Sequence, residues 1–281
     1  KYKNIINNKF KDLDIKGIIL LAPEGVNISV SLLSSDLQCL IKALEETFNI
    51  EKKDLKVSFS NNHIFRKIKI KIKKEILTTR IAPQIKPEKI VGNYIKPEYW
   101  DSFIMDPEVL LIDTRNNYEV EVGTFKKAIN PKCTNYTDIL SWLDNNIINK
   151  TNYKYKKIAM FCTGGIRCEK ATSYIKEKGN KNVYHLEGGI LKYLETIKNS
   201  NNWKGECFVF DNRVSVNHKL EPGTYNLCFA CRMPVSQNDL TNEGYIQGVS
   251  CPKCYKKKSR KQLNKYKTRN DQFSKESKNV R

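Results

Sequence analysis

Met160-Phe161-Cys162-Thr163-Gly164-Gly165-Ile166-Arg167-Cys168-Glu169-Lys170-Ala171 is the stretch around which the chain is organised. Apolar residues Ile158, Ala159, Met160 and Phe161 run up to a cysteine. A short glycine-bearing loop follows, and a helical pattern in Ala171, Tyr174 and Ile175 begins beyond it. This predicts strand, loop, helix. In such a loop the backbone N–H groups of Thr163, Gly164, Gly165 and Ile166 can converge on one point, while the helix N-terminus adds positive potential. An anion at Cys162, a thiolate or a persulfide, is thereby favoured. Arg167 is expected to add a fixed charge at the rim, lowering the pKa of Cys162 and making it the nucleophile. Cys168 opens the helix, where its thiol feels the dipole from outside the cradle and can serve as a resolving or auxiliary thiol. The plain alternative is a buried strand-end cysteine ahead of a glycine turn.

The spacing excludes a neighbouring chemistry. A cysteine phosphatase needs arginine six positions after its nucleophile, whereas here that position is Cys168 and the arginine comes one earlier. Outward from the loop, residues 97–200 read as a compact α/β domain. Residues 109–113 form a buried central strand, 157–161 the reactive strand and 183–186 another, with helical segments between them. That alternation predicts a parallel sheet with helices on both faces and ligands at the carboxyl ends of the strands, where Cys162 sits. Asp113 and Arg115 are expected to brace the loop without touching substrate. His185 could be read as a base, although a lone strand-end histidine is more often structural.

Residues 1–75 read as a small ferredoxin-like α+β module whose first strand is missing. Residues 17–22 and 26–30 are strands around a turn at Pro23-Glu24-Gly25, and Ser34 or Ser35 caps a helix through Phe48. Residues 55–59 and 66–73 are two further strands. In the last, Ile68, Ile70 and Ile72 alternate with Lys67, Lys69, Lys71 and Lys73, so one face is expected to enter the core while four ammonium groups share the other. Such a row could follow a phosphate backbone, or could simply be a solvated face. Residues 76–96, with Pro83 and Pro87, read as a linker. In the Cys-rich unit at 201–255, Cys228-x2-Cys231 and Cys251-x2-Cys254 are separated by nineteen residues. Two such knuckles can close a tetrahedral Zn²⁺ site of structural type. Residues 256–281 carry eleven Lys/Arg against Asp271 and Glu276, the composition of a disordered basic tail.

The 281 residues suffice for about two or three domains. The formal net charge of +20 points to a polyanionic partner such as nucleic acid, although a composition rich in Lys, Ile and Asn could produce it without a binding role. Nine cysteines divided between a reactive loop and C-x-x-C pairs suit reduced thiols and metal binding better than disulfides. No apolar run approaches the roughly 18 residues of a membrane span, and no secretory signal is visible, so a cytoplasmic location is expected. The sequence opens at Lys1 without Met, as expected where a native N-terminal piece is missing.

Asp113-Thr-Arg115, Glu119, Gly123, the Cys162 loop and Leu186-Glu-Gly188-Gly189 together resemble the rhodanese domain, in which the loop cysteine carries a persulfide. The fuller strings Ala22-Pro-Glu-Gly-Val-Asn27, Ile112-Asp-Thr-Arg-Asn-Asn-Tyr-Glu-Val-Glu-Val-Gly123, Cys162 through Ala171, and Cys207-Phe-Val-Phe-Asp211 resemble one rhodanese subgroup, the tRNA uridine hydroxylases. The similarity runs from about residue 17 to 255, with Pro23 where the family usually has histidine. It implies conversion of the wobble uridine (position 34) of tRNA to 5-hydroxyuridine, with O2 as co-substrate and an electron donor the sequence leaves open. Cys162, Arg167 and Cys168 would be the catalytic set, and tRNA, not DNA or membrane, the partner. Two rival readings are a plain sulfurtransferase carrying a persulfide on Cys162 and a non-catalytic RNA-binding protein.

Overall fold

Residues 17–22 are apolar without a break, and the turn at Pro23-Glu24 folds the chain back on them. In the computed structural model, which describes residues 2–52, 55–79, 85–149 and 155–278, helix α1 (Tyr2–Lys9) leads into an antiparallel hairpin of β1 (Lys16–Ala22) and β2 (Gly25–Ser31). β1 buries every second residue, among them Ile19 and Leu21, because alternate side chains share one face. Helix α2 (Leu37–Phe48) lays Leu40 and Leu44 on that face, one turn apart, and α1 adds Ile6. A 3₁₀ turn (Ser34–Asp36) precedes α2, and neither serine caps it through its side chain.

β3 (Ile68–Ile72) pairs in parallel with β1, giving a mixed sheet of order β2-β1-β3. Two expectations are corrected here. Residues 55–59 form no strand: β1 already has a partner on each side, and the segment crosses to the next domain, where the Asn212 N–H donates to the Ile64 carbonyl (2.9 Å). The register Ile19↔Ile70 does put the β3 isoleucines on the core side. Only Ile70 packs there, however, because β3 is an edge strand; Ile68 and Ile72 remain 38% and 69% exposed. Lys67, Lys69, Lys71 and Lys73 are all exposed.

The second domain runs β4 (Asn93–Ile95), α3 (Pro97–Met105), β5 (Val109–Asp113), α4 (Asn117–Val120), β6 (Gly123–Phe125), α5 (Tyr136–Leu143), β7 (Lys157–Phe161), α6 (Ile166–Glu177), β8 (Val183–Leu186) and α7 (Gly189–Thr196). Its parallel sheet has the order β4-β8-β7-β5. Strands this apolar have no side to show to water, and both faces are covered. Leu110, Ile112, Ile158, Met160 and Cys162 pack under α5 and α6, while Val109, Leu111, Ala159 and Phe161 pack against Trp100 of α3 and Tyr193 of α7. β4 lies in the stretch read as a linker and forms the sheet edge; Pro83 of that stretch is outside the described residues.

β9 (Trp203–Gly205) pairs with β6, and Trp203, Cys207, Val209 and Val216 join the cluster around Trp100 and Phe161. The chain up to about 216 therefore belongs to this core and not to a separate unit beginning at 201. Beyond it, Cys228, Val235, Cys251 and Cys254 form a small cluster of their own. The stretch expected to be disordered from 256 is helical over Arg260–Lys278; Arg281 lies outside the described residues. Its signal is a capping box, with Ser259 N–H donating to Gln262 Oε1 (3.1 Å) and Gln262 N–H to Ser259 Oγ (3.3 Å). Arg269 Nη2 donates to the Phe229 carbonyl (2.9 Å) and ties the helix to the cysteine cluster. Among the described residues, no helix is long and apolar enough to cross a membrane.

Candidate active site

Cys162 follows directly on β7 and is 1% exposed. Gly165, at φ +104°, bends the chain so that its N–H donates to Cys162 Sγ (3.1 Å). Cys168, in the first turn of α6, donates its N–H to the Gly165 carbonyl (2.9 Å), and its thiol is near enough to favour charge on Cys162. Of the expected ring of amides over Thr163–Ile166, that of Gly165 is hydrogen-bonded to the sulfur. The carbonyls of Cys162 and Thr163 accept from the amides of Ile190 (2.9 Å) and Leu191 (3.2 Å). Gly189 permits this approach, since a Cβ there would lie 2.6 Å from the Cys162 carbonyl oxygen.

Burial alone would raise the Cys162 thiol. The Cys168 thiol, the Arg167 charge and the amides of Cys168 and Gly165 outweigh it and hold the thiol well below its usual value, at about 5. Cys168 moves the opposite way: burial and the neighbouring thiolate keep it protonated, with Thr114 Oγ1 at 3.4 Å from its sulfur. It is therefore inside the site, under Cys162, and not outside the cradle as the helix pattern suggested.

Arg167 is also placed differently from its expected position at the rim. Its guanidinium forms a forked pair with the fully buried Glu119 (Nη1–Oε2 2.5 Å, Nη2–Oε1 2.7 Å) and also donates to Thr163 Oγ1 (3.3 Å). It braces the loop from below and contributes its charge through the protein. Asp113 and Arg115 brace the neighbouring strands. Arg115, fully buried, donates to both Asp113 oxygens (2.9 and 2.6 Å) and to the Gly123 carbonyl (2.5 Å), with its guanidinium carbon 5.5 Å from the Trp203 ring centre. His185 is buried with its ring against Tyr94 (centroids 4.2 Å), and burial pushes it down to about 4, so it acts as a packing residue.

Three residues brought to the site carry roles that the sequence does not announce. Glu119 stands in it only as a motif letter. Glu24, in the Pro23 turn, reaches Lys170 of α6 (2.8 Å), so two motif strings far apart in sequence meet in space. Lys56 donates to the Gly164 carbonyl (2.6 Å) from the segment expected to be a strand. A lone lysine in a lysine-rich chain carries no signal of such a role.

Cys228, Cys231, Cys251 and Cys254 bring their sulfurs within 4.8 Å of one another. This four-cysteine cluster is able to hold a metal ion.

Among known families, the UPF0176 acylphosphatase like domain matches residues 1–76, and the rhodanese-like domain matches residues 96–196. Solved structures give slighter likenesses. A rhodanese-like domain from an Anabaena sp. protein is 14% identical over 41% of this chain and 80% of its own, with a TM-score of 0.32. A rhodanese-related protein from Thermoplasma volcanium is 22% identical over 37% and 92%, with a TM-score of 0.28. The As-Sb reductase from Leishmania major is 18% identical over 53% and 95%, with a TM-score of 0.31. The rhodanese-like fold is typical of sulfurtransferase and oxidoreductase enzymes.

Proposed function

We propose, for a chain whose UPF0176 and rhodanese-like domains match the architecture of the tRNA uridine(34) hydroxylase family, that it hydroxylates the wobble uridine of tRNA at C5. The observation that carries this reading is the position of the activated thiol. Cys162 lies where the two matched domains meet, with Lys56 of the first on Gly164 of the loop (2.6 Å) and Glu24 on Lys170 (2.8 Å). A sulfurtransferase acting on a small acceptor needs only the loop. The exposed Lys67, Lys69, Lys71 and Lys73 and the basic helix Arg260–Lys278 supply phosphate contacts. A single-stranded anticodon loop presents an unstacked base that can be brought to the Cys162 loop.

Addition of the Cys162 thiolate to C6 of the uracil ring moves the C5–C6 π electrons toward O4 and makes C5 nucleophilic. O2 and two electrons from a reductant then supply the hydroxyl oxygen, with water as the second product; loss of the C5 proton and expulsion of the thiolate restore the ring. tRNA carrying 5-fluorouridine at position 34 should trap the adduct. Cys228, Cys231, Cys251 and Cys254 would hold a Zn²⁺ through four thiolates, a donor set that would leave no place for water and give the ion a structural role.

The test is nucleoside mass spectrometry of tRNA from a deletion strain. 5-Hydroxyuridine should disappear, return with the wild-type chain and stay absent with Cys162→Ser. A second reading draws on the same low-pKa thiol: transfer of persulfide sulfur to a small acceptor. Unchanged 5-hydroxyuridine together with thiosulfate-to-cyanide activity in the absence of tRNA would establish that reading instead.

A further inference from the structure

We propose that Lys56 is a positioning residue of the active centre, acting on Cys162 through the single peptide plane that joins Gly164 to Gly165. In a trans peptide the C=O and the following N–H point in opposite directions from one rigid plane. Here the two ends of that plane have different partners. The Gly164 oxygen accepts from Lys56 Nζ (2.6 Å), and the Gly165 N–H donates to Cys162 Sγ (3.1 Å). An ammonium on the oxygen draws electron density through the amide and makes its N–H a stronger donor to the thiolate at the other end. It also fixes the orientation of a plane between two glycines, where the backbone has the most freedom to turn.

The side chain is built into this place. It runs between Gly164 and Gly188, whose added Cβ atoms would stand 3.9 Å from Lys56 Nζ and 3.5 Å from Lys56 Cε. The segment carrying it is fixed on both sides of the domain boundary. His63 Nε2 lies 3.0 Å from Asp14 and His63 Nδ1 3.0 Å from Ser31 in the first domain, and the Ile64 carbonyl accepts from Asn212 in the second (2.9 Å). The residue is exposed, but its ammonium lies against the loop, and partial desolvation there lowers its pKa. The charged groups facing it are Cys162 and Glu169 from the reactive loop and α6, and Lys192 and Glu195 from α7. Cys162 is the strongest of these in holding the ammonium charged. The first domain thus supplies part of the electrostatics of a thiol carried by the second.

The experiment reads the thiol directly and needs no tRNA, so it stands or falls apart from the hydroxylase reading. Thiolate absorbance at 240 nm is titrated in the metal-replete full chain, with Cys162→Ser subtracted to isolate one sulfur. Lys56→Met should raise the Cys162 midpoint by about one unit. Lys56→Gln, which still donates to the carbonyl but carries no charge, should fall between, and Lys56→Arg should restore the wild-type midpoint. Thermal melts run in parallel separate this from a purely structural role. A loss of melting temperature in Lys56→Met and Lys56→Gln with the midpoint unmoved would overturn the proposal, as would equal midpoints in all four proteins.

Discussion

Cys162 and Cys168 are buried neighbours whose thiols ionise in opposite directions, the first held as thiolate and the second as thiol. Cys162→Ser keeps nearly the same volume but cannot ionise near neutrality, so modification should be abolished while tRNA affinity stays close to wild type. Cys168→Ser leaves a hydroxyl able to donate to the thiolate and should retain part of the activity; Cys168→Ala removes the donor and should retain less. Rates on purified tRNA, measured side by side, decide this. Full activity in Cys162→Ser would remove it from the chemistry, and complete loss in Cys168→Ser would make the pair one dithiol unit. Linkage adds a stability signature. The folded pKa of Cys162, about 5, lies below the value near ~8.5 of an unfolded thiol. Its contribution is therefore fully present above ~8.5, falls as pH drops and is gone below about 5. Wild type and Cys162→Ser should melt together near pH 5 and diverge in favour of wild type toward pH 8; parallel curves would refute the depressed pKa. At this scale the sequence singles out Cys162, the thiol whose pKa is held down, but not how its neighbours act. Arg167 and Cys168 are visible as residues, yet their positions depend on Glu119 and Thr114, which come from a different strand-to-helix connection.

The secondary elements are legible where burial leaves one solution. Residues 109–113 and 158–161 are too apolar for any solvated face, and they form central strands covered on both sides. Residues 55–59 alternate like a half-buried strand, but alternation records only which side chains favour burial, not which surface provides it. Leu55 packs on the first domain, while Lys56 and Ile64 engage the second. The basic C-terminal stretch departs from expectation for the opposite reason: charge dominates its composition and hides the short Ser259/Gln262 box that starts the helix. That helix meets the cysteine unit through Arg269 on the Phe229 carbonyl and Asn270 beside Gly248 and contributes to none of the hydrophobic clusters among the described residues, so it can be removed without opening a core. Deleting residues 260–281 should weaken tRNA binding and leave the melting temperature nearly unchanged. The log–log salt slope should fall by roughly 0.7 to 0.9 for each phosphate the helix neutralises. An unchanged slope would take this helix out of the RNA interface.

Across the whole molecule, the first two domains hold three large hydrophobic clusters, whereas the cluster around the four cysteines has, among the described residues, Val235 as its one buried apolar residue other than its own thiols, with Ala230, Leu240 and Tyr245 partly covered. A core that small does not hold a chain segment by burial alone, and the sulfur geometry indicates what completes it. A tetrahedral shell with Zn–S of about 2.3 Å places sulfurs about 3.8 Å apart. Three of the six separations are close to this, 3.6 Å for Cys231–Cys251, 3.8 Å for Cys251–Cys254 and 3.9 Å for Cys228–Cys254, and all six are within 4.8 Å. We expect one tightly bound Zn²⁺ per chain. The boundary of its influence follows from packing: Trp203, Cys207, Val209 and Val216 belong to the core around Phe161, so metal removal should not reach them. Hydrogen exchange after chelation should show amides from about 226 to 258 losing protection while those of β7 and of residues 203–216 keep theirs. Elemental analysis showing no zinc in metal-replete protein would defeat the assignment. Loss of protection in β7 in step with the cysteine unit would show instead that the metal holds the reactive domain as well.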